Sequence, residues 1–196
     1  MQRNKRFWGL GAVVALGALM LLTTFASAAP GGAQHVRWDI ISTTGIPPAP
    51  INAGGHASAT APDGDTITLT GSGHFVAPAN GGGSSAATGG GTWTTTSGAS
   101  GTYTVTALVS WQFANFQTEV GFIDNIDEGT KANGTSVLKI AFSDGSTGVL
   151  TVGCHGPGAP PGIFEGVATT KGFKTYYSVP TPVGGVDANR TLFHVR

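Results

Sequence analysis

Between positions 135 and 154, apolar and polar residues alternate on either side of a short break, and this is the clearest structural instruction in the chain. Leu138, Ile140 and Phe142 fall on one face of an extended strand and Val137, Lys139 and Ala141 on the other, because strand side chains alternate with period two. Ser143-Asp144-Gly145 supplies a three-residue loop in which glycine takes the positive-φ position. That loop predicts a register, with Phe142 closing against Ser146, Ile140 opposite Gly148, Leu138 opposite Leu150 and Ser136 opposite Val152. A two-residue Asp-Gly loop would set Lys139 opposite Leu150 and mix the faces. Burying Leu138, Ile140, Phe142, Leu150 and Val152 contributes on the order of 1.5–3 kcal/mol each, which is enough to select one register.

The same pattern recurs around Pro62-Asp63-Gly64. With Ala61 paired to Asp65, Ala59 faces Ile67 and Ala57 faces Leu69 on an apolar side, while His56, Ser58 and Thr60 face Thr70, Thr68 and Thr66 on a polar side. Further strands are expected at 36–41, 74–77, 92–96, 102–113, 163–170, 173–179 and 191–195. The longest, 102–113, would place Tyr103, Val105, Ala107, Val109, Trp111 and Phe113 on one face, with Leu108 interrupting the polar side. Arg37 and Asp39 lie on one side of the first strand and can neutralise each other. Prolines at 47, 48 and 50 cannot donate ladder hydrogen bonds and predict a crossing or an edge. Positions 78–91, rich in Gly, Ser and Ala, read as a surface loop, since no helix or lysine follows to make a phosphate cradle. Threonines alternate at 66–70, 92–96 and 102–106; such arrays occur on ice-binding surfaces, but with no repeat period they predict an ordinary solvent face.

Together these patterns predict an all-β chain, an antiparallel β-sandwich or a closed β-barrel, in one domain over 35–196. Residues 1–28 differ from the rest. Arg3, Lys5 and Arg6 precede an apolar run over 7–25, and Ala26-Ser27-Ala28 offers small residues at cleavage spacing, the form of a secretory signal peptide with a helical core. A short leader, 29–34, comes next. The expectation is an exported bacterial protein, secreted or held at the cell surface, without stable membrane insertion once the signal is cleaved.

Composition narrows the partners. Three of the 10 basic residues lie in the signal, so the remainder carries 7 against 10 acids, a net charge of −3 without charge runs. Nucleic acid and anionic membrane surfaces are therefore not expected partners. Cys154 is the single cysteine, so no intramolecular disulfide can form, and a lone thiol of this kind is expected to be a buried small hydrophobe.

Candidate chemistry is sparse. Glu165 follows a Pro/Gly loop among apolar residues, where burial would raise its pKa, and it is the best candidate for acid–base work. His155 and His74 are its candidate catalytic companions, with His194 also available. No two histidines have metal-ligand spacing, and neither a metal nor a cofactor is expected. Glu119, Asp124, Asp127 and Glu128 gather four acids in one segment, but their spacing does not match a calcium loop. Trp93 and Trp111 are candidate ligand-binding residues, as aromatic platforms for a sugar, with the core as their alternative place. The function classes in order are an exported binding or cell-surface module for a glycan or small apolar molecule, a hydrolase or isomerase using Glu165 with a histidine, and a structural subunit that adds strands to a partner.

Overall fold

The computed structural model describes residues 32–44, 48–118, 121–179 and 189–196. The expected signal segment, part of the leader, Ile46-Pro47 and Glu119 lie outside them. Among the described residues the chain forms thirteen strands and no helix: β1 (Gln34–Ser42), β2 (Ala49–Ala53), β3 (Ala57–Thr60), β4 (Thr66–Leu69), β5 (Ser72–Ala77), β6 (Ala87–Thr95), β7 (Ser100–Phe116), β8 (Phe122–Asp124), β9 (Thr130–Phe142), β10 (Thr147–Cys154), β11 (Gly166–Lys171), β12 (Lys174–Tyr176) and β13 (Arg190–Val195).

Six of these close into an antiparallel barrel in the order β1-β5-β6-β7-β9-β13, with β13 returning to β1. The architecture is thus the barrel of the two alternatives. Strands β10, β11 and β12 extend from β9, and β4 and β3 extend from β6. The two extensions meet at a bridge between Thr60 and Ser178. Trp38, Phe75, Trp111 and Phe193 fill the barrel. The Trp111 ring lies 5.6 Å from Phe75 and 4.6 Å from Phe193, and its indole N–H donates to Gln34 Oε1 at 2.7 Å. Tilted aromatic pairs of this kind add about 0.5–1.5 kcal/mol each beyond the area they bury. Among the described residues the interior is therefore a packed core.

Both predicted hairpins form in the expected register. Leu138 pairs with Leu150, Ile140 with Gly148 and Ser136 with Val152, and the Phe142 N–H donates to Ser146 O at 2.9 Å. Ala57 pairs with Leu69 and Ala59 with Ile67. Gly145 and Gly64 sit at φ +86° and +85°, as three-residue loops require. On the polar side Ser58 bonds Thr68, Thr60 bonds Thr66 and Thr70 bonds Thr92, each at 2.8 Å between hydroxyl oxygens. The threonine arrays are adjacent in space, with Thr68 opposite Thr94 and Thr94 opposite Ser100.

Four expectations need correction. The run 87–91 belongs to β6 and is not a loop. A Cβ at Gly89 would lie 2.3 Å from Ser72 O and one at Gly90 2.1 Å from Tyr103 O, so small residues here serve close strand approach where β6 passes between neighbours. Strand β9 starts at Thr130, earlier than predicted, because Lys131 to Gly134 pair with β13 and β7. Residues 163–165 precede β11 and stand outside the strand.

The strict alternation predicted for 102–113 also fails. Register shifts between Val105 and Ala107 and between Leu108 and Ser110 each insert one residue into β7. A bulge exchanges the inside and outside faces for the residues beyond it. Leu108 is consequently buried and Val109 is 39% exposed, after which Trp111 points inward again. We expect Leu108→Ala to cost about 2–5 kcal/mol and Val109→Ala no more than about 0.5 kcal/mol in urea unfolding; equal penalties would contradict the two bulges.

Candidate functional site

A fork in the sheet organises the most chemically varied surface of the molecule. Along one edge of β9, residues 130–132 pair with β13 and residues 134–141 pair with β10. Strands β10 and β13 must therefore diverge from that edge, and the amides where they part lose their ladder partners. Glu165 fills the gap. Its carboxylate accepts the Thr191 N–H on β13 at 2.8 Å and the His155 N–H just past β10 at 2.5 Å. The Thr191 hydroxyl crosses the same fork to Gly153 O at 2.6 Å.

Local sequence explains how Glu165 arrives there. Phe164 packs where Gly153 lacks a side chain, since a Cβ at Gly153 would lie 2.6 Å from the Phe164 ring. Gly166, at φ +109°, then turns the chain into β11. The preceding 156–162 loop is held from the other side by Asn133, which is fully buried in β9. Its Oδ1 accepts the Gly156 N–H at 2.7 Å, and its amide donates to Asn115 Oδ1 at 2.9 Å and Pro157 O at 3.3 Å.

Beside the fork lies a cleft of about 210 Å³. Ile41, Ile51, Phe122 and Leu192 give it an apolar lining, joined by Gln117, His155, Glu165 and Arg190, with Arg190 directly beside Ile41 in the β1–β13 pairing. The Glu165 side chain is 17% exposed. Burial pushes its carboxyl up to about 7, outweighing the two backbone donors and the charges of Arg190 and His155 that act in the opposite direction. Arg190 is 45% exposed, and its Nη1 stands 4.0 Å from Glu165 Oε2, beyond hydrogen-bond distance. His155 Nδ1 lies 2.7 Å from Ile163 O, so that nitrogen carries the proton and donates. Cys154 is buried; burial, and then the neighbouring Glu165 charge, push its thiol well up, and Gln117 Nε2 donates to its sulfur at 3.3 Å. A thiol so held is a poor nucleophile.

The structure thus brings Glu165 and His155 together and leaves His74 apart. His74 stands on β5 in a separate cleft of about 340 Å³ that also includes His35, Arg37 and Arg196. There Glu128 is the hub, accepting from Arg37, from Arg196 Nη2 at 2.7 Å and from His74 Nε2 at 3.2 Å. Hydrogen bonding to His74, with the Arg37 charge, holds the Glu128 carboxyl below its usual range. Arg37 also makes a two-pronged pair with buried Asp39, both bonds 2.8 Å, as its position on β1 predicts. His194 is fully buried and bonds Asp124 Oδ2 at 2.8 Å; although burial works against it, this bond and two backbone donors keep Asp124 low. Asp124 and Glu128 are therefore engaged by cations and imidazoles of the barrel wall. Trp93 and Trp111 are each 2% exposed and packed in the core, which offers no platform to a sugar.

Arg190, Gln117 and Asn133 did not stand out in the sequence. Arg190 carried one weak signal, a charge at the start of an apolar strand; Gln117 and Asn133 carried none. No protein-family model, curated protein or solved structure gives a significant match to this chain.

Because the folded Glu165 pKa is raised from 4.5 to about 7, its contribution to stability is fully present below about pH 4.5 and is lost as pH rises through about 7. The cost approaches about 3 kcal/mol at pH 8. Glu165→Gln keeps only one acceptor for two amides and should be less stable than wild type at pH 5, by about 1–3 kcal/mol. That gap should narrow steadily towards pH 8, as read from chemical denaturation across the range.

Proposed function

We propose that this chain is an exported binding module for a small, partly apolar molecule, and that the fork cleft is its site. The observation that carries the reading is the arrangement at the fork: a cleft lined by four apolar side chains and a few polar groups, beside a barrel whose axis is packed with aromatic rings. Small-molecule sites commonly combine a mostly apolar lining with a few placed polar groups. The apolar run and small-residue site at the N-terminus support export. A sugar stacked on Trp93 or Trp111 has no support from the packing of those rings, and the apolar wall favours a small apolar body over a glycan.

One observation favours a second reading, proton-transfer catalysis. A carboxyl that titrates near neutrality beside a histidine suits a general base. Such an activity would rise with pH through about 7 and vanish in Glu165→Gln. Strand addition to a partner has less behind it, since the outer edges β3 and the chain after β12 bridge one another at Thr60 and Ser178.

Thermal-shift screening of the mature protein with small carboxylic acids, amides, amines and sugars tests the binding reading. A ligand at 100 times its Kd should stabilise by about 2.7 kcal/mol, a rise in Tm of about 5–10 °C for a chain of this size. Phe122→Ala should weaken the response. A flat response across the set, or one indifferent to Phe122, would overturn it.

A further inference from the structure

We infer that the fork cleft takes a small monocarboxylate, whose aliphatic or aromatic body lies against Ile41, Ile51, Phe122 and Leu192 and whose carboxylate pairs with Arg190 as Glu165 takes up a proton. This rests on the fork cleft being the binding site and adds the ligand's chemical class and its coupling to pH.

A guanidinium beside a carboxylate can close into a two-pronged pair, as the largely buried Arg37 does with Asp39 at 2.8 Å. Arg190 stands off from Glu165 at 4.0 Å. Glu165 is held instead by the Thr191 and His155 amides, one on each oxygen. Among the described residues no hydrogen-bond or ion-pair partner approaches the Arg190 guanidinium more closely than Glu165, so its planar donor fork is open to the cleft. A planar carboxylate is the partner that fits a guanidinium best. The four apolar side chains lining the same cleft then ask for a hydrocarbon body on the same molecule.

Charge decides the coupling. The groups facing the cleft are Arg190 from β13, Glu165 from the segment before β11, and His155 from the end of β10. The walls from β1, β2 and β8 contribute Ile41, Ile51 and Phe122, and Asp124 on β8 is engaged by His194. With Glu165 ionised, an incoming carboxylate meets a like charge in a partly dry site. With Glu165 protonated, it meets only Arg190 and the imidazole. Since the Glu165 carboxyl is already raised to about 7 by burial, little is required for it to accept that proton near neutrality. No covalent step is involved: one proton is taken from solvent as the ligand enters and returned as it leaves.

Isothermal titration of the folded mature protein with benzoate, cyclohexanecarboxylate and hexanoate, each beside its primary amide, tests this between pH 5.5 and 8.5. At least one acid should bind more tightly than its amide at pH 5.5. Its Kd should climb towards tenfold per pH unit above about 7, with close to one proton taken up per ligand in buffers of different ionisation enthalpy. Arg190→Met, at an exposed strand start, should weaken the acid tenfold or more and leave the amide within twofold. Glu165→Gln should remove the pH dependence, which also separates its role from that of His155. Acids that bind no better than amides, an affinity indifferent to pH, or a pH dependence that survives in Glu165→Gln would overturn the inference. Amide binding that depends on Phe122 would still keep the cleft as a binding site, whereas silence from every probe would remove both.

Discussion

Strand β7 is the spine on which everything else is hung. Its 17 residues pair with β6 along one edge and β9 along the other, and each of those neighbours divides its own far edge between two partners. Strand β6 gives 87–90 to β5 and 93–95 to β4. Strand β9 gives 130–132 to β13 and 134–141 to β10. A sheet three strands wide at its centre thus splits in two at each end. One set of branches rolls up into the closed barrel, and the other folds over until Thr60 meets Ser178. Both partner changes fall at glycine, Gly90-Gly91 in β6 and Gly134 in β9, where a side chain would strike the neighbouring backbone. The bulges in β7 add the local twist that lets one long strand serve both branches.

Forks of this kind have a cost that flat sheets avoid. Where two strands part from a common edge, backbone amides face neither a partner nor open water, and an unpaired buried amide costs about 1–3 kcal/mol. The chain meets this by carrying a carboxylate into the gap. Glu165 satisfies one amide on each branch, and its own desolvation is the consequence, visible as a pKa near 7. The charges on the opposite wall are handled differently. Asp39, Arg37, Glu128 and Arg196 neutralise one another, and Asp124 is hydrogen-bonded to His194. Arg190 is set apart from that network, and the cleft inherits its charge.

The two aspartyl-glycine hairpins were legible in the sequence because everything that fixes them is local. The turn residue, the loop length and the alternation on either arm all point to one register. Alternation misled over 106–110 because a bulge leaves only an indirect trace. The trace was there, in Leu108 standing on the polar side three residues before Trp111, but a single apolar residue in a polar row has many meanings. The glycine run at 87–91 misled for a related reason. Glycine marks a loop and a close strand crossing equally well, and only the neighbours distinguish them. Glu165 was legible because an acid among apolar residues after a Pro/Gly loop is unusual. Arg190, Gln117 and Asn133 were not, since what gathers them is the fork, and forks are made by pairings between strands far apart in the chain.

A filled barrel constrains where any ligand can act. Trp38, Phe75, Trp111 and Phe193 occupy the axis, so selectivity has to come from the outside wall, where side chains that would face solvent are roofed by β2, β8 and the 156–162 loop. Such a site is shallow and owes its chemistry to the covering segments as much as to the barrel. Its buried carboxyl, Glu165, is already committed to holding two branches together. Any ligand that changes the protonation of Glu165 therefore acts on a structural joint. Proton uptake relieves the desolvation of the carboxylate at the expense of its two amide bonds, and because desolvation is the larger effect the protonated joint is the more stable one below about pH 7. On the proposed binding, occupation of the cleft and the stability of this joint are linked through that one proton.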